Sequence, residues 1–484
     1  MNRNYFRYLY RTYKVLILFF LAMYLCICLL WNLFSDPGVA GHGFYSSVRA
    51  GIALSITLTY ALPVLLFSFA HKKSSADVFF ALPLSRRELR LTTLAFAFCI
   101  SFGYWFITAI ISWLFYAFGV YSFLSLLVLA IYTAVMILGL LVIHSFIYLL
   151  ANNVLDGIVL LGSYTMIFIA AFVAELAILE QMIAGFVLGE SPISFLLSPL
   201  VCFTANFAAL ISKNGWLYVN FRLQWLIPAL AYTLLAWFGL RREFDERKSE
   251  RAEMISDHPL AYPAVIHFYL FVSLAIVISD MVVRKTLNDL IFVVLLLICY
   301  ILGTFLYRRK LEIRPKNIGI FALMCVLCCI LLSSMWATRG FGMAESYSLK
   351  EGETLNYDYS INTDPKDLSA ATREMENCVF VHFELHLPTD RLEEYGEVIG
   401  VLDAYRREEI NTYYRNPEET GKGYFAVYNE TQNQEKNRWN YAPGKGLSEA
   451  DLEIIDRYGD VYVRRFTETG DIDVLLETYL KERN

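Results

Sequence analysis

The sequence has little of the polar chemistry that a soluble enzyme needs. Of its 484 residues only 18% are charged and seven are histidine. The two Gly-Lys-Gly segments, 421–423 and 444–446, do not complete the phosphate-binding pattern GxxxxGK[ST]. GxSxG, HExxH and the protein-kinase motifs are also missing. We therefore expect no cofactor on this chain, and if ATP is used, another chain binds it.

Cysteine usage is equally restrictive. Eight of the nine cysteines lie in apolar segments, and Cys378 is alone in the polar C-terminal region. A disulfide-stapled extracellular module is therefore not expected. Cys325 and Cys328 have CxxC spacing, with Cys329 beside them, but inside a continuous apolar run we interpret all three as small core residues.

Apolar residues make up 57% of the chain, which predicts an α-helical polytopic membrane protein. Charge is divided unevenly: residues 339–484 hold 17 Lys and Arg against 30 Asp and Glu, whereas the remainder holds 24 against 16. The acidic C-terminal part argues against nucleic-acid binding. Nine segments are long enough to span a membrane, near 15–34, 50–70, 91–118, 122–150, 157–179, 223–240, 261–280, 289–307 and 318–336.

Lys and Arg concentrate in alternate loops, which predicts a cytoplasmic N-terminus and an extracytoplasmic C-terminus. Residues 1–14 place basic and aromatic residues as an amphipathic interfacial helix would. Residues 180–222 are apolar but broken by Gly and Pro, which favours a pair of re-entrant half-helices over a surface loop. After three more spans within 246–336, residues 337–484 alternate between strand-like and helix-like patterns, which predicts a soluble α+β domain.

The loop 71–91, between the second and third spans, is basic but has an apolar centre. Such a patch predicts a protein contact. Ser74 and Asp77 could cap a short helix, and Ser85 with Glu88 forms a capping box for the next one. The alternative is that the patch lies back against lipid or under its own helices. The predicted contact residues are Val78, Phe79, Phe80, Leu82, Pro83, Ser85, Arg86, Arg87 and Glu88.

Residues 81–89, ALPLSRREL, are similar to the LP-x-S-R-x-x-L segment of bacterial ABC-2-type (type V) ABC transporter permeases. The interfacial helix, six spans and re-entrant region within 1–245 add to this resemblance. It implies a six-helix core (15–245) plus three extra spans, as in extended Gram-positive permeases of the plasma membrane. It also implies a homo- or heterodimer of permeases and separate ATPase subunits that bind ATP and Mg²⁺, usually for export.

Other candidate residues are weaker. His144 and Glu175 are ionisable groups within predicted spans, where such groups often line a pathway. His382, Glu384 and His386 share one face of a predicted strand and form a weak metal candidate; a solvated strand face is the better interpretation.

Two other functional classes stay open. The protein could be a membrane sensor or assembly component whose outer domain binds a ligand or envelope partner. It could also be a membrane enzyme acting on lipid or cell-wall precursors, although the spans supply few convergent polar groups.

Overall fold

A computed structural model describes two compact parts of the chain. The first contains residues 1–171, 193–270 and 300–312, and the second contains 172–192, 271–299 and 313–484. The residues that the structure describes are 2–33, 42–114, 123–183, 193–210, 223–256, 258–308, 315–342, 353–361, 381–388, 410–411, 413–415, 423–429 and 461–465.

Helices dominate the described residues up to Gly342. They are α1 (Arg3–Leu33), α2 (His42–Leu66), α3 (Lys73–Phe80), α4 (Arg86–Ser112), α5 (Phe123–Leu149), α6 (Val154–Met182), α7 (Pro199–Leu210), α8 (Leu223–Asp245), α9 (Tyr262–Arg284), α10 (Leu290–Arg308) and α11 (Pro315–Ala337).

Each of the nine predicted spans overlaps one long helix. Eight helices in the described part of the chain are long and apolar enough to cross a membrane, namely all of them except α3, α7 and α8. Helix α8 has 23 residues but ends in the charged turn Arg241 to Asp245, which lowers its apolarity. The helical polytopic membrane architecture is thus confirmed.

The predicted interfacial helix 1–14 is not a separate element. It continues without a break into the first span, as the 31-residue helix α1. Tyr5 and Leu9 are buried against protein, and the Phe6 ring meets Phe96 of α4 edge to face at 5.2 Å. Tyr5, Phe6 and Leu9 of this segment therefore pack on the first part of the chain, whereas Tyr8 and Tyr10 are exposed.

The core of the first part lies among α2, α4, α5 and α8, with α1 and α7 at its sides. Its largest fully buried side chains include Trp105, Met136 and Phe203. Small residues allow close helix contact: a Cβ on Gly139 of α5 would come within 2.8 Å of both Phe203 and Thr233. Tight packing of this kind fixes the relative positions of the helices.

The predicted re-entrant region 180–222 is described in part. It contains a 3₁₀ turn at Ile193–Leu197 and helix α7, both packed in the first part. Tyrosine hydroxyls bind the backbone of both elements. Tyr132 donates to the carbonyl of Phe203 in α7 at 2.7 Å, and Tyr232 donates to the carbonyl of Leu196 in the turn at 3.1 Å. The rest of the region, 184–192 and 211–222, lies outside the described residues, so the half-helix pair stays a prediction.

In the second part, the end of α6 meets a short segment of the C-terminal region. The hydroxyls of Tyr413 and Tyr414 donate to the carbonyls of Gln181 and Met182 at 2.6 and 3.0 Å. Both rings also lie against Trp336 of α11. These hydrogen bonds satisfy carbonyls that the helix end leaves without an internal partner.

The described residues of the C-terminal region form four strands, β1 (Glu353–Ile361), β2 (Val381–Pro388), β3 (Gly423–Asn429) and β4 (Val461–Arg465). They make an antiparallel sheet in the order β3-β1-β2-β4. Between β1 and β2, Leu355 pairs with Leu387 and Asp358 with Glu384. The helix-like patterns within 337–484 lie almost wholly outside the described residues, so the α+β domain stays a prediction.

Candidate functional site

The connection between α2 and α4 forms a compact surface feature. Helix α2 contains Pro63 and ends at Leu66, and a 3₁₀ turn, Ser68–His71, follows. The extended backbone of Lys72 then reorients the chain into α3. With eight residues α3 is too short to be stable by itself, so its contacts must hold it.

The inner side of α3 packs on aromatic rings. Ala76 is fully buried, and Phe79 and Phe80 follow it at helical spacing. The Phe79 ring stacks on Phe69 at 4.4 Å, and the Phe80 ring meets Phe244 of α8 edge to face at 6.2 Å. These four phenylalanines, which we call the α3 seat, join α3 to the ends of α2 and α8.

The α3 seat bears on one sequence prediction. Phe79 and Phe80 are among the predicted contact residues, and the structure places both half-buried against their own chain. A contact of either residue with a partner stays a prediction. A helix of eight residues needs its largest apolar side chains for its own packing, because local hydrogen bonds supply too little stability.

The outward side of this connection carries apolar side chains that are exposed to solvent. Val78 is 64% exposed and Leu82 is 36% exposed. Asp77, Ala81 and Pro83 are exposed beside them. These five residues form the α3 outer surface, whose apolar patch consists of Val78, Ala81, Leu82 and Pro83.

The start of α4 is fixed by the predicted capping box. Ser85 Oγ accepts from the Glu88 amide at 3.2 Å, and Glu88 Oε2 accepts from the Ser85 amide at 3.1 Å. The Arg86 guanidinium lies 3.4 Å from the centre of the Phe80 ring, whereas Arg87 is exposed. The predicted Ser74 cap is wrong, because α3 already begins at Lys73 and no side chain caps it.

Helix α4 is joined to α8 by an ion pair between a buried arginine and an aspartate that is 32% exposed. Arg90, which is 2% exposed, donates to Asp245 at 2.6 Å and to the carbonyl of Arg241 at 3.1 Å. Separating α4 from α8 would leave the buried Arg90 charge without its partner, which is costly. The pair therefore holds these two helices together.

Arg247 lies in the charged connector between α8 and α9 and joins two further segments. Its guanidinium donates to the carbonyls of Ala70, Leu149 and Ala151 at 3.1, 2.7 and 2.7 Å. These carbonyls lie at the ends of the connection after α2 and of α5. Burial lowers the pKa of Arg247 to about 10, which still leaves it charged at neutral pH.

His71 lies next to this arginine and is also buried. Its ring nitrogens face the carbonyls of Tyr148, at 3.1 Å, and Phe67, at 3.4 Å. Burial, together with the Arg247 charge, lowers the pKa of His71 to about 3. The His71 ring is therefore neutral at pH 7 and donates to only one of these two carbonyls. The positive charge at this position belongs to Arg247.

The remaining candidates lie elsewhere. His144 of α5 is buried in the first part, where its Nδ1 is 3.0 Å from Thr59 Oγ1 and its ring stacks on Tyr60. Glu175 is half-buried on α6 in the second part. A pathway role for either stays a prediction.

The metal candidate also stays a prediction. His382, Glu384 and His386 occupy alternate positions of β2 and so share one face of that strand. Among the residues whose side chains the structure describes, no group of three His, Cys, Asp or Glu can hold a metal ion.

No sequence pattern singles out Phe69, Phe244 or Arg247. Phe69 looks like an ordinary span residue, Phe244 stands among the charges that follow the predicted span 223–240, and Arg247 is one of several charges between α8 and α9. Their role is visible only in the folded structure, where they lie among helix ends that are distant in sequence.

Comparison with protein-family models, curated proteins and solved structures gives no match to this chain.

Proposed function

We propose that this protein is the membrane-spanning permease subunit of an ATP-driven ABC transporter. In this proposal α3 couples the permease to its ATPase. In this proposal the α3 outer surface binds a separate ATPase subunit, which carries ATP and Mg²⁺. A second permease subunit completes the assembly, and the direction of transport is export.

The observation that carries the proposal is the combination of an exposed apolar patch with a rigid base. Val78 and Leu82 lie on the outside, while the α3 seat holds the helix from beneath. A displacement of α3 is therefore passed to α2 through Phe69, to α4 through Arg86 and to α8 through Phe244. A flexible loop would absorb the same displacement.

The size of the patch sets its expected contribution. Fully burying one exposed valine or leucine side chain contributes about 1.5–3 kcal/mol. Val78 and Leu82 are 64% and 36% exposed, which together amounts to about one such side chain, so the patch contributes about 1.5–3 kcal/mol. This corresponds to roughly a 10- to 150-fold change in affinity. The patch alone is small, and the exposed basic residue Arg87 extends it at the rim.

The experiment is purification of the tagged full chain from its native membrane, with and without Val78→Asp and Leu82→Asp together. We expect the unaltered chain to retain a subunit that contains GxxxxGK[ST] and hydrolyses ATP, and the double variant to lose it. Met254→Asp is the matched control, because Met254 is 61% exposed but lies in another loop.

Equal retention by the double variant would contradict the proposal. An equal loss caused by Met254→Asp would contradict it too, because the effect would then come from surface charge in general. Insertion and thermal stability of each variant are measured in parallel, so that misfolding is recognised.

A further inference from the structure

The connector between α8 and α9 begins with residues 246–256, which we call the α8 extension. The extension is bound to the turn between α5 and α6. Its Glu253 amide donates to the carbonyl of Asn152 at 2.8 Å, and its Ser256 Oγ donates to the carbonyl of Leu150 at 2.5 Å. Ser256 is 3% exposed, so its hydrogen bond is shielded from water.

The first half of the α8 extension reaches α3. Its 3₁₀ turn, Ser249–Arg251, packs against α3. Arg247, two residues earlier, donates to the carbonyl of Ala70 at 3.1 Å, in the turn that leads into α3. A shift of the extension therefore reaches α3 both directly and through the backbone that precedes it.

The end of the α8 extension reaches α9 and α10. The Tyr307 hydroxyl, on α10, donates to the carbonyl of Ser256. The Tyr307 ring also lies 5.0 Å from the ring of Tyr262, the first residue of α9. Ser256 is thus bound on two sides, because its side chain donates to Leu150 while its carbonyl accepts from α10.

The backbone of the α8 extension has a conformation that its contacts impose. Glu253 has a φ of 68°, in the left-handed region that residues with a Cβ rarely adopt. The Asn152 side chain donates to the carbonyl of Ile255 at 3.4 Å, so Asn152 binds the extension on both sides of Met254. Because a strained residue persists only where its surroundings hold it, the extension is a fixed link and not a flexible linker.

We propose that α9 and α10 control the position of α3 through the α8 extension. A displacement of α10 acts on Ser256 through Tyr307, and the fixed backbone carries it to the 3₁₀ turn against α3. The two helices that follow α8 then regulate the contact with the ATPase, and in that respect the inference rests on the proposed function. The position of α3 itself is measured without any ATPase.

The test is hydrogen exchange of the full chain in detergent, followed by mass spectrometry, with the amides of α3 as the readout. Tyr307→Phe removes the bond from α10 to Ser256 and keeps the ring. Tyr300→Phe is the matched control, because the Tyr300 hydroxyl, on the same helix, meets His267 of α9 at 3.1 Å. Met254→Ala is the control within the extension, because its side chain is 61% exposed.

We expect Tyr307→Phe to accelerate exchange in α3 about fivefold, the change in a local equilibrium that the loss of one ordinary hydrogen bond produces. Amides in the buried centre of α4, around Trp105, should exchange at an unaltered rate, because the opening is local. Both controls should leave exchange in α3 unchanged.

Unaltered exchange in α3 after Tyr307→Phe would overturn the inference, even with the ATPase still bound at Val78 and Leu82. Equal acceleration by Tyr300→Phe would overturn it too, because the effect would then come from a general loosening of α10. Equal acceleration in α3 and around Trp105 would also contradict it, because a route through the α8 extension confines the change to α3 and its surroundings. The expected exchange pattern, found together with ATPase retention by the variant with Val78→Asp and Leu82→Asp, would support the link and refute the proposed function alone.

Discussion

Replacing Arg247 with methionine tests whether buried hydrogen bonds hold the base beneath α3. Methionine has a similar reach but no donor, so the carbonyls of Ala70, Leu149 and Ala151 lose the partner that the structure gives them. The helix ends that meet at this position would then separate or admit water.

The size of the effect follows from those three contacts. A hydrogen bond to a charged group contributes about 1.5–3 kcal/mol, but burying the guanidinium has a desolvation cost of several kcal/mol. Three such bonds contribute about 4.5–9 kcal/mol before that cost is subtracted, so we expect Arg247→Met to be destabilised by a few kcal/mol. Arg247→Lys should lie between, since an ammonium keeps the charge but not the planar fork of donors.

The assay is thermal unfolding of the purified chain in detergent, with Arg251→Met as the matched control. Arg251 is in the same connector and is exposed, so its replacement should change stability by about 0.5 kcal/mol or less. Equal melting temperatures for Arg247→Met and Arg251→Met would refute the assignment of these contacts as a structural support.

Three further predictions concern single residues. The pKa of His71 is about 6.5 in the unfolded chain and about 3 in the folded one, so the unfolded chain binds the extra proton first as the pH drops. The free energy of unfolding should therefore fall by about 1.4 kcal/mol per pH unit between these two values. His71→Gln should flatten that slope when unfolding is measured against pH. Ser85→Ala should cost about 1 kcal/mol by losing the capping box, while Ser74→Ala should be neutral in the same assay, and equal losses would contradict the assigned cap. Gly139→Ala should destabilise the bundle by about 1–3 kcal/mol because its Cβ meets two neighbouring helices, whereas Gly162→Ala, with open space around it, should not; a stable Gly139→Ala would refute the packing.

Hydropathy was sufficient to predict the helices. Each long apolar run overlaps one helix, and the capping box of Ser85 and Glu88 is confirmed, because both signals depend only on neighbouring residues. The orientation of Phe79 and Phe80 depends instead on Phe69 and Phe244, which are brought to α3 by the packing of α2 and α8. Sequence spacing carries no information about such a neighbour.

Arg247 shows the same limit for charge. A basic residue in a loop between spans is normally an exposed sign of orientation. Here the loop closes over the 3₁₀ turn after α2 and the end of α5, and the guanidinium becomes a buried donor to three of their carbonyls. Likewise, the basic and aromatic pattern of residues 1–14 predicted a helix correctly, but not that its apolar side packs on α4.

The most direct measurement of the central proposal is site-specific photo-cross-linking in native membranes. A photoreactive amino acid at position 78, which is 64% exposed, should join the chain to a subunit that contains GxxxxGK[ST]. The same group at position 76, which is fully buried, should not. A cross-link at position 78 only to lipid, or equal cross-links to that subunit from both positions, would contradict the assignment of α3 as the contact with an ATPase.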